Sequence, residues 1–418
     1  MKLTQTLCKQ RMPLAWRRIW GSKGGQFADN PPLILQSLVE KGTKLIDPTE
    51  KPPLAKWRPP VDDPRFYQHP KPEDLANYHE EPAYICTPAC RIYEGTKQAA
   101  CLAKAQIFEG FPPVVKQLIG AVQIPDKDML LQRYIMQSQY WNTTSKKLPK
   151  RIDPRKPGYV FRRQYGIPSK MQGEILARNL LRLCQSQVSN FPSLRDRRHI
   201  YKPYINSHYY YRDKAVVVRG LNDWLISSNQ PLPHFADEAV IDMSVNHSLP
   251  DLFPISPTID LLVEHNYELE HNTGMKTGGN HDHLHTLVIV DANRLKSDQR
   301  MARNLLHCLA YAIAQAHRLY GNVKVLPKPI CIQSVSMDHE MFSFVFFQLN
   351  TLSFDSDNGI KNFAWIDGEN YLFRKILSQP WMPKAIRFER LEDFDPNVFD
   401  KFMAMYLNGV PEVGKSGK

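Results

Sequence analysis

Apolar residues recur every three or four positions from Ile92 to Glu109 and stop at Gly110, which predicts a first helix with a glycine end. The same period predicts a second helix over about Asp126 to Trp141 and a third after Pro168. In the third, Ser169 and Gln172 are spaced as a capping box, and Leu176, Leu180, Leu183 and Val188 form an apolar row that stops before Pro192. The longest helical pattern spans Asp298 to Tyr320. Ser297 stands as its cap, Met301, Leu305, Leu309, Ile313, Ala316 and Leu319 face the core, and Gly321 closes it. A last helix is predicted from Asn397 to Leu407, ended by Gly409.

Strand patterns cover Lys214 to Arg219, Thr258 to Val263, Leu284 to Val290 and Lys384 to Leu391. Ile330 to Met337 and Met341 to Leu349 flank Asp338-His339-Glu340 and predict a β-hairpin. Within the second strand, Phe344, Phe346 and Gln348 alternate with Val345 and Phe347, so it is apolar on both faces and must be central or covered. The expected fold class is α+β: one large domain over residues 85–409, with a mixed or mainly antiparallel sheet and flanking helices. Residues 30–84 carry eleven prolines, among them Pro52, Pro53, Pro59 and Pro60, which predict an extended arm. Trp57, Phe66 and Tyr67 suggest that the arm lies on a surface and make those three a partner contact. Residues 410–418 are expected to be a disordered tail.

Composition narrows the classes. The chain has 418 residues, 42% hydrophobic and 11% aromatic, which excludes a wholly disordered protein. It holds no run of 18 apolar residues, so no helical membrane span is expected. Seven cysteines without paired spacing predict free buried thiols in a reducing compartment.

Charge changes the picture once it is located. Residues 145–214 hold 17 Lys or Arg against four Asp or Glu, and residues 1–30 hold six basic residues against Asp29. The remainder is mildly acidic, because the formal total is only +12. One concentrated block implies a polyanionic partner, whereas an even spread would mean solubility. Residues 1–29 are acid-poor, with Leu3, Leu7, Leu14, Trp16, Ile19 and Trp20 between the charges, the composition of a mitochondrial transit peptide. An ordinary basic N-terminus is the alternative.

The block has two clusters. In the loop at 145–170, Lys146, Lys147, Lys150, Arg151, Arg155, Lys156, Arg162, Arg163 and Lys170 are interleaved with Tyr159, Phe161 and Tyr165. Beyond it, Arg195, Arg197, Arg198, Lys202, Arg212 and Lys214 lie among Tyr201, Tyr204, Tyr209, Tyr210 and Tyr211. Cationic heads neutralise phosphates and flat rings stack on unpaired bases, so RNA is the expected ligand. No known base-reading module occurs, which points to backbone contact. A solvated loop with partly packed tyrosines is the competing reading.

Enzymatic motifs fail on inspection. Thr273 to Gly279 is glycine-rich but lacks the phosphate-cradling pattern, and no nucleophile elbow or zinc-protease helix occurs. His281, His283 and His285 alternate and would share one face of a strand, with His265 and His271 upstream, but no supporting carboxylate or thiol pair accompanies them. Cys86, Cys90 and Cys101 lack the second pair of a zinc site. No catalytic residue, metal site or cofactor is assigned.

Several stretches together resemble a known family. They are Asp63-Pro64-Arg65-Phe66-Tyr67, Glu94-Gly95-Thr96-Lys97-Gln98-Ala99, and Phe253 to Leu261. With them stand His285-Thr286-Leu287, Tyr320-Gly321-Asn322, Gln333-Ser334-Val335, Phe347 to Thr351, and Lys361-Asn362-Phe363-Ala364-Trp365. From about residue 60 to residue 408 the chain resembles the thirty-seventh family of mitochondrial large-ribosomal-subunit proteins. The resemblance implies a structural, non-catalytic component of the mitochondrial ribosome in the matrix. It would contact ribosomal RNA and pack on neighbouring ribosomal proteins, among them a sister family once counted with the small subunit. Only His285 of the histidine run belongs to the family pattern, and the basic block is longer here than that pattern. Asn350, Lys361, Asn362 and Trp365 bracket a loop that is either a partner surface or a hydrogen-bonded anchor. A soluble RNA-binding assembly or translation factor would share the charge pattern, and a nucleic-acid-processing enzyme is the third reading.

Overall fold

Both faces of the strand Met341–Leu349 are apolar, and the unit spanning residues 70–418 packs one core on each of them. The structure is a computed structural model describing residues 40–42, 70–140, 146–147, 165–275, 283–291, 295–321, 323, 325–376 and 391–410. The first half comprises β1 (Tyr78–Cys86), α1 (Gly95–Ala103), β2 (Ala105–Glu109), α2 (Pro113–Lys116), α3 (Lys127–Tyr140), β3 (Lys146–Lys147), β4 (Tyr165–Gly166) and α4 (Ser169–Gln185). Then come β5 (Arg198–Tyr201), β6 (Tyr204–Tyr211), β7 (Lys214–Leu221), β8 (Trp224–Ser228), α5 (Glu238–Met243), β9 (Leu262–Asn266) and β10 (His283–Val290). The chain continues through α6 (Ser297–Tyr320), β11 (Ile330–Met337), β12 (Met341–Leu349), β13 (Asn362–Tyr371), β14 (Lys375–Ile376), β15 (Leu391–Glu392) and α7 (Asn397–Leu407).

The fold is α+β with two mixed sheets. A seven-stranded sheet has the order β2-β13-β12-β11-β10-β8-β5, and a four-stranded sheet has the order β6-β7-β1-β9. The hairpin β11–β12 is in register from Ile330 opposite Leu349 to Met337 opposite Phe342, as its two runs around Asp338-His339-Glu340 require. Val345, Phe347 and Leu349 pack into one core with α6, while Phe342, Phe344 and Phe346 pack into another with α4 and α7. Helix α6 therefore lies between the two sheets and is buried on nearly every side, not along a single stripe. Its first turns carry two buried arginines: Arg303 donates to Asp291 at 2.8 Å, and Arg300 lies 3.3 Å from the same carboxylate.

Several expected boundaries move. The helix predicted over 92–109 is α1 followed by β2, because Lys104 adopts a left-handed conformation (φ 46°) that ends the helix. Strand β2 then pairs in parallel with β13. The strand expected over 258–263 is β9, later by several residues; Asp260 has φ 66°, and its carboxylate accepts the backbone N–H groups of Arg91 and Ile92. The cap assigned to Ser169 is not made, since Pro168 occupies that position. At α6 the cap is Lys296, whose N–H donates to the Gln299 side chain at 3.2 Å. The arm cannot extend to residue 84, because β1 is hydrogen-bonded between β7 and β9. Most of the strand predicted over 384–391 falls outside the described residues, as do residues 1–39 and 411–418.

Candidate nucleic-acid interface

Helices α3 and α4 bracket the basic loop. Its ends come together where Lys146 pairs with Gly166 and Lys147 with Tyr165 across β3 and β4. Lys150, Arg151, Arg155, Lys156, Tyr159, Arg162 and Arg163 lie outside the described residues. Helix α4 forms because its apolar row, Leu176, Leu180 and Leu183, seats against the seven-stranded sheet. Gly173 lets it approach closely, for a Cβ there would meet Val290 Cγ1 at 2.6 Å. The opposite face is cationic. Lys170, Arg178 and Arg182 are exposed, and Arg195 and Arg198 follow on the segment that leaves the helix. Among the described residues none of these four arginines has an ion-pair partner.

Arg178 and Arg182 were missed by sequence reasoning. The signal was present: two arginines four apart, opposite a leucine row, share an outward helix face. They stand over a groove of about 330 Å³ between α3 and α4, lined also by Gln137, Ile175 and Asn179. Asn179 Nδ2 donates to Gln137 Oε1 at 3.3 Å, bridging the two helices.

Other expected RNA contacts are used internally. Arg197 is buried; its guanidinium donates to the backbone oxygens of Tyr406 and, at 2.6 Å, Asn408, and packs over the Tyr406 ring at 5.0 Å. It thus satisfies buried carbonyls at the end of α7 that have no partner within the helix, and is unavailable to RNA. Lys202 bridges Asp223 and Glu174, the latter at 3.0 Å. Lys170 sits 3.8 Å from Asp223 with its side chain half exposed. Tyr209 and Tyr211 point into the core from β6, Arg212 pairs with Asp357 at 2.6 Å, and Lys214 packs over Tyr84. The strand periodicity of β6 puts alternate tyrosines inward, leaving Tyr210 exposed.

The residues that bracket the loop at 350–362 are tied into the fold, while residues 355–360 of the loop itself are exposed. Asn362 is fully buried and accepts from the N–H groups of Asn350 at 2.8 Å and Thr351 at 3.0 Å. Asn350 donates to Lys361 O at 2.9 Å. Lys361 and Trp365 are buried as well. Trp57, Phe66 and Tyr67 lie outside the described residues.

The histidines form a different constellation from the one the spacing suggested. His208 of β6, His271 of the segment between β9 and β10, and His317 of α6 stack with ring centroids 4.4 and 4.0 Å apart. Parallel stacked rings direct their in-plane lone pairs away from a common point, so the trio does not converge on an ion. His285 is buried, hydrogen-bonded to Gln230 O, and burial pushes it down to about 3. His281 lies outside the described residues. The neighbouring Cys86 thiol, helped by the Thr87 N–H that donates to Cys90 Sγ at 3.4 Å, brings Cys90 down to about 6. Among the described residues no group of three or more His, Cys, Asp or Glu is arranged to hold a metal, and no helix is long and apolar enough to cross a membrane.

Comparison with known proteins follows this architecture along nearly its whole length. The chain is 33% identical over 409 residues to the large ribosomal subunit protein mL37 of Mus musculus, covering 94% of this chain and 92% of the mouse protein. It is 30% identical to the Bos taurus mL37 over 408 residues, 93% of this chain and 92% of the bovine protein. Against the Gallus gallus mL37 it is 32% identical, over 84% of this chain and 79% of the chicken protein. Residues 185–410 match the family described as mitochondrial 28S ribosomal protein S30 (PDCD9). That match starts at the last residue of α4, so it takes in both sheets from β5 onward and omits α3, the basic loop and nearly all of α4.

Proposed function

Because the chain belongs to the mL37 family of mitochondrial large ribosomal subunit proteins, we propose that it is a structural constituent of that subunit, held to ribosomal RNA by the cationic face of α4 and the adjoining basic loop. Its place is then the mitochondrial ribosome in the matrix, and its role is to position RNA and protein neighbours without catalysis. The observation that carries the RNA contact is the pair Arg178 and Arg182, four apart on one exposed face of α4 and with no acidic partner among the described residues; Arg195 and Arg198, also exposed and without an acidic partner there, follow in the chain. Unpaired guanidiniums on one face are suited to phosphate, which they can bind in bidentate fashion. A neighbouring protein of the sister type belongs to this proposal, and residues 185–410, which match the family described as mitochondrial 28S ribosomal protein S30, are the frame the two would share.

The test is the fate of the chain when mitochondrial large subunits are sedimented after a high-salt wash. It is expected to remain at one copy per subunit. Recovery solely in the free soluble fraction would point instead to a cycling assembly or translation factor. Reversing Lys146, Lys147, Lys150 and Arg151 to Glu should also flatten the salt dependence of RNA binding, by up to about 3 in the log–log slope.

A further inference from the structure

The groove between α3 and α4 has the chemistry of a site for one nucleotide. Its rim carries Arg178 and Arg182, one helical turn apart on α4 and both exposed. Its wall offers the half-buried aliphatic side chain of Ile175. Its floor is an amide pair: Asn179 Nδ2 donates to Gln137 Oε1 at 3.3 Å. That bond consumes one donor and one acceptor. It leaves Asn179 Oδ1 as an acceptor and Gln137 Nε2 as a donor, a two-point pattern matched by the hydrogen-bonding edge of a base. A duplex keeps those edges paired, whereas an unpaired nucleotide presents its edge and one flat face. The volume of about 330 Å³ is on the scale of one nucleotide and too small for a duplex.

We propose that this groove seats a single unpaired ribonucleotide, its phosphate on Arg178 and Arg182, its base against Ile175, and its edge read by Asn179 and Gln137. The inference rests on the RNA contact proposed above and adds to it a preference for single-stranded RNA. The basic loop, continuous with both helices, supplies general attraction to the backbone, and the groove supplies the discrimination.

The experiment uses the purified full-length chain with fluorescent single-stranded RNA decamers of each base and a duplex of equal length, read by anisotropy. The wild-type chain is expected to bind at least one single-stranded decamer more tightly than the duplex. The double substitution Gln137→Ala with Asn179→Ala should weaken that decamer by about tenfold and leave duplex binding unchanged. Arg178→Ala with Arg182→Ala should weaken both ligands. Circular dichroism and melting check that each variant is folded; if the amide double variant fails to fold, Asn179→Leu, which removes the amide at similar size without adding charge, replaces it and should likewise weaken only the decamer. If the arginine double variant fails to fold, Arg178→Gln with Arg182→Gln replaces it and should weaken both ligands. Equal binding of duplex and decamers, with no effect of the amide substitutions, overturns the nucleotide site while leaving the RNA contact standing. No binding of any RNA by the wild-type chain overturns both.

Discussion

Arg197 and Arg178 carry the same charge, lie nineteen positions apart in one basic block, and do opposite work. Arg197 donates into the last carbonyls of α7, and Gln333 reaches the same helix end through Met405 O at 2.6 Å while accepting from Asn408 at 3.0 Å. These groups are buried, so Arg197→Ala strands two acceptors, Tyr406 O and Asn408 O, and should cost about 3 kcal/mol, seen as a lowered melting temperature. Arg178→Ala should leave melting unchanged within about 0.5 kcal/mol and act only on RNA binding. Equal melting losses in the two variants would remove the distinction. Charge density located the block but could not sort its members, because burial of one arginine depends on a helix 200 residues later. The shared family words show the same limit. Gly95, with φ 57°, is a glycine because a Cβ would strike Asp298, whose carboxylate accepts the N–H of Thr96 at 3.1 Å. Gln98 donates at 2.8 Å to both Pro257 and Ile259, tying that word to the proline-rich one. Their order along the chain was legible, but their role as polar knots appears only when the elements meet.

At the scale of elements, periodicity served best where one core decided the pattern. Helices α3, α6 and α7, the β11–β12 hairpin, and the two-faced burial of β12 follow directly from apolar spacing. It failed where tertiary pairing overrode local preference: β2 was absorbed into a helix, and the tyrosines of β6 were assigned to RNA when half of them pack inward. Gly173 was invisible for a similar reason, since a helix-interior glycine looks like a defect until β10 is placed beneath it. A bulkier side chain there must push α4 off Val290. Gly173→Val should therefore destabilise by about 1–3 kcal/mol, measured by denaturant unfolding, and shift the α3–α4 groove with the helix. The junction of β10 and α6 makes a sharper case. Asp291 is buried between Arg300 and Arg303, so Asp291→Ala leaves two guanidiniums without that carboxylate in the interior. A loss of about 3–5 kcal/mol is expected, against under 1 kcal/mol for the exposed pair Arg212–Asp357.

The described residues from 70 onward form a two-sheet frame joined to the α3–α4 helix pair, and the acid stability of that unit follows from histidines inside the frame. His285 and His307 are each pushed to about 3, by burial first and then by Arg197 and Arg303 respectively. His271 is likewise held at about 3, by burial and by its stacked neighbours His208 and His317. In the unfolded chain these rings take up protons near pH 6.5, whereas the folded chain holds them neutral. Their contribution is therefore present above pH 6.5 and is lost as pH falls from 6.5 toward 3. His339 acts in the opposite sense: Glu340, at 3.0 Å, raises it despite burial, so its contribution is fully present below 6.5. Burial also lowers His199, to about 4, and His208 and His317, so six lowered groups among the described residues outweigh the one raised group and the melting temperature should fall between pH 7.5 and pH 5. His307→Leu isolates the effect, because neither ring nitrogen has a hydrogen-bond partner among the described residues. That variant should melt no lower than the wild type at pH 7.5 and should lose less on acidification. An identical pH dependence in the two proteins would mean that this ring is not neutral in the fold. Because α3, the basic loop and the exposed face of α4 contain none of these histidines, RNA binding should persist to the pH at which the frame itself begins to open.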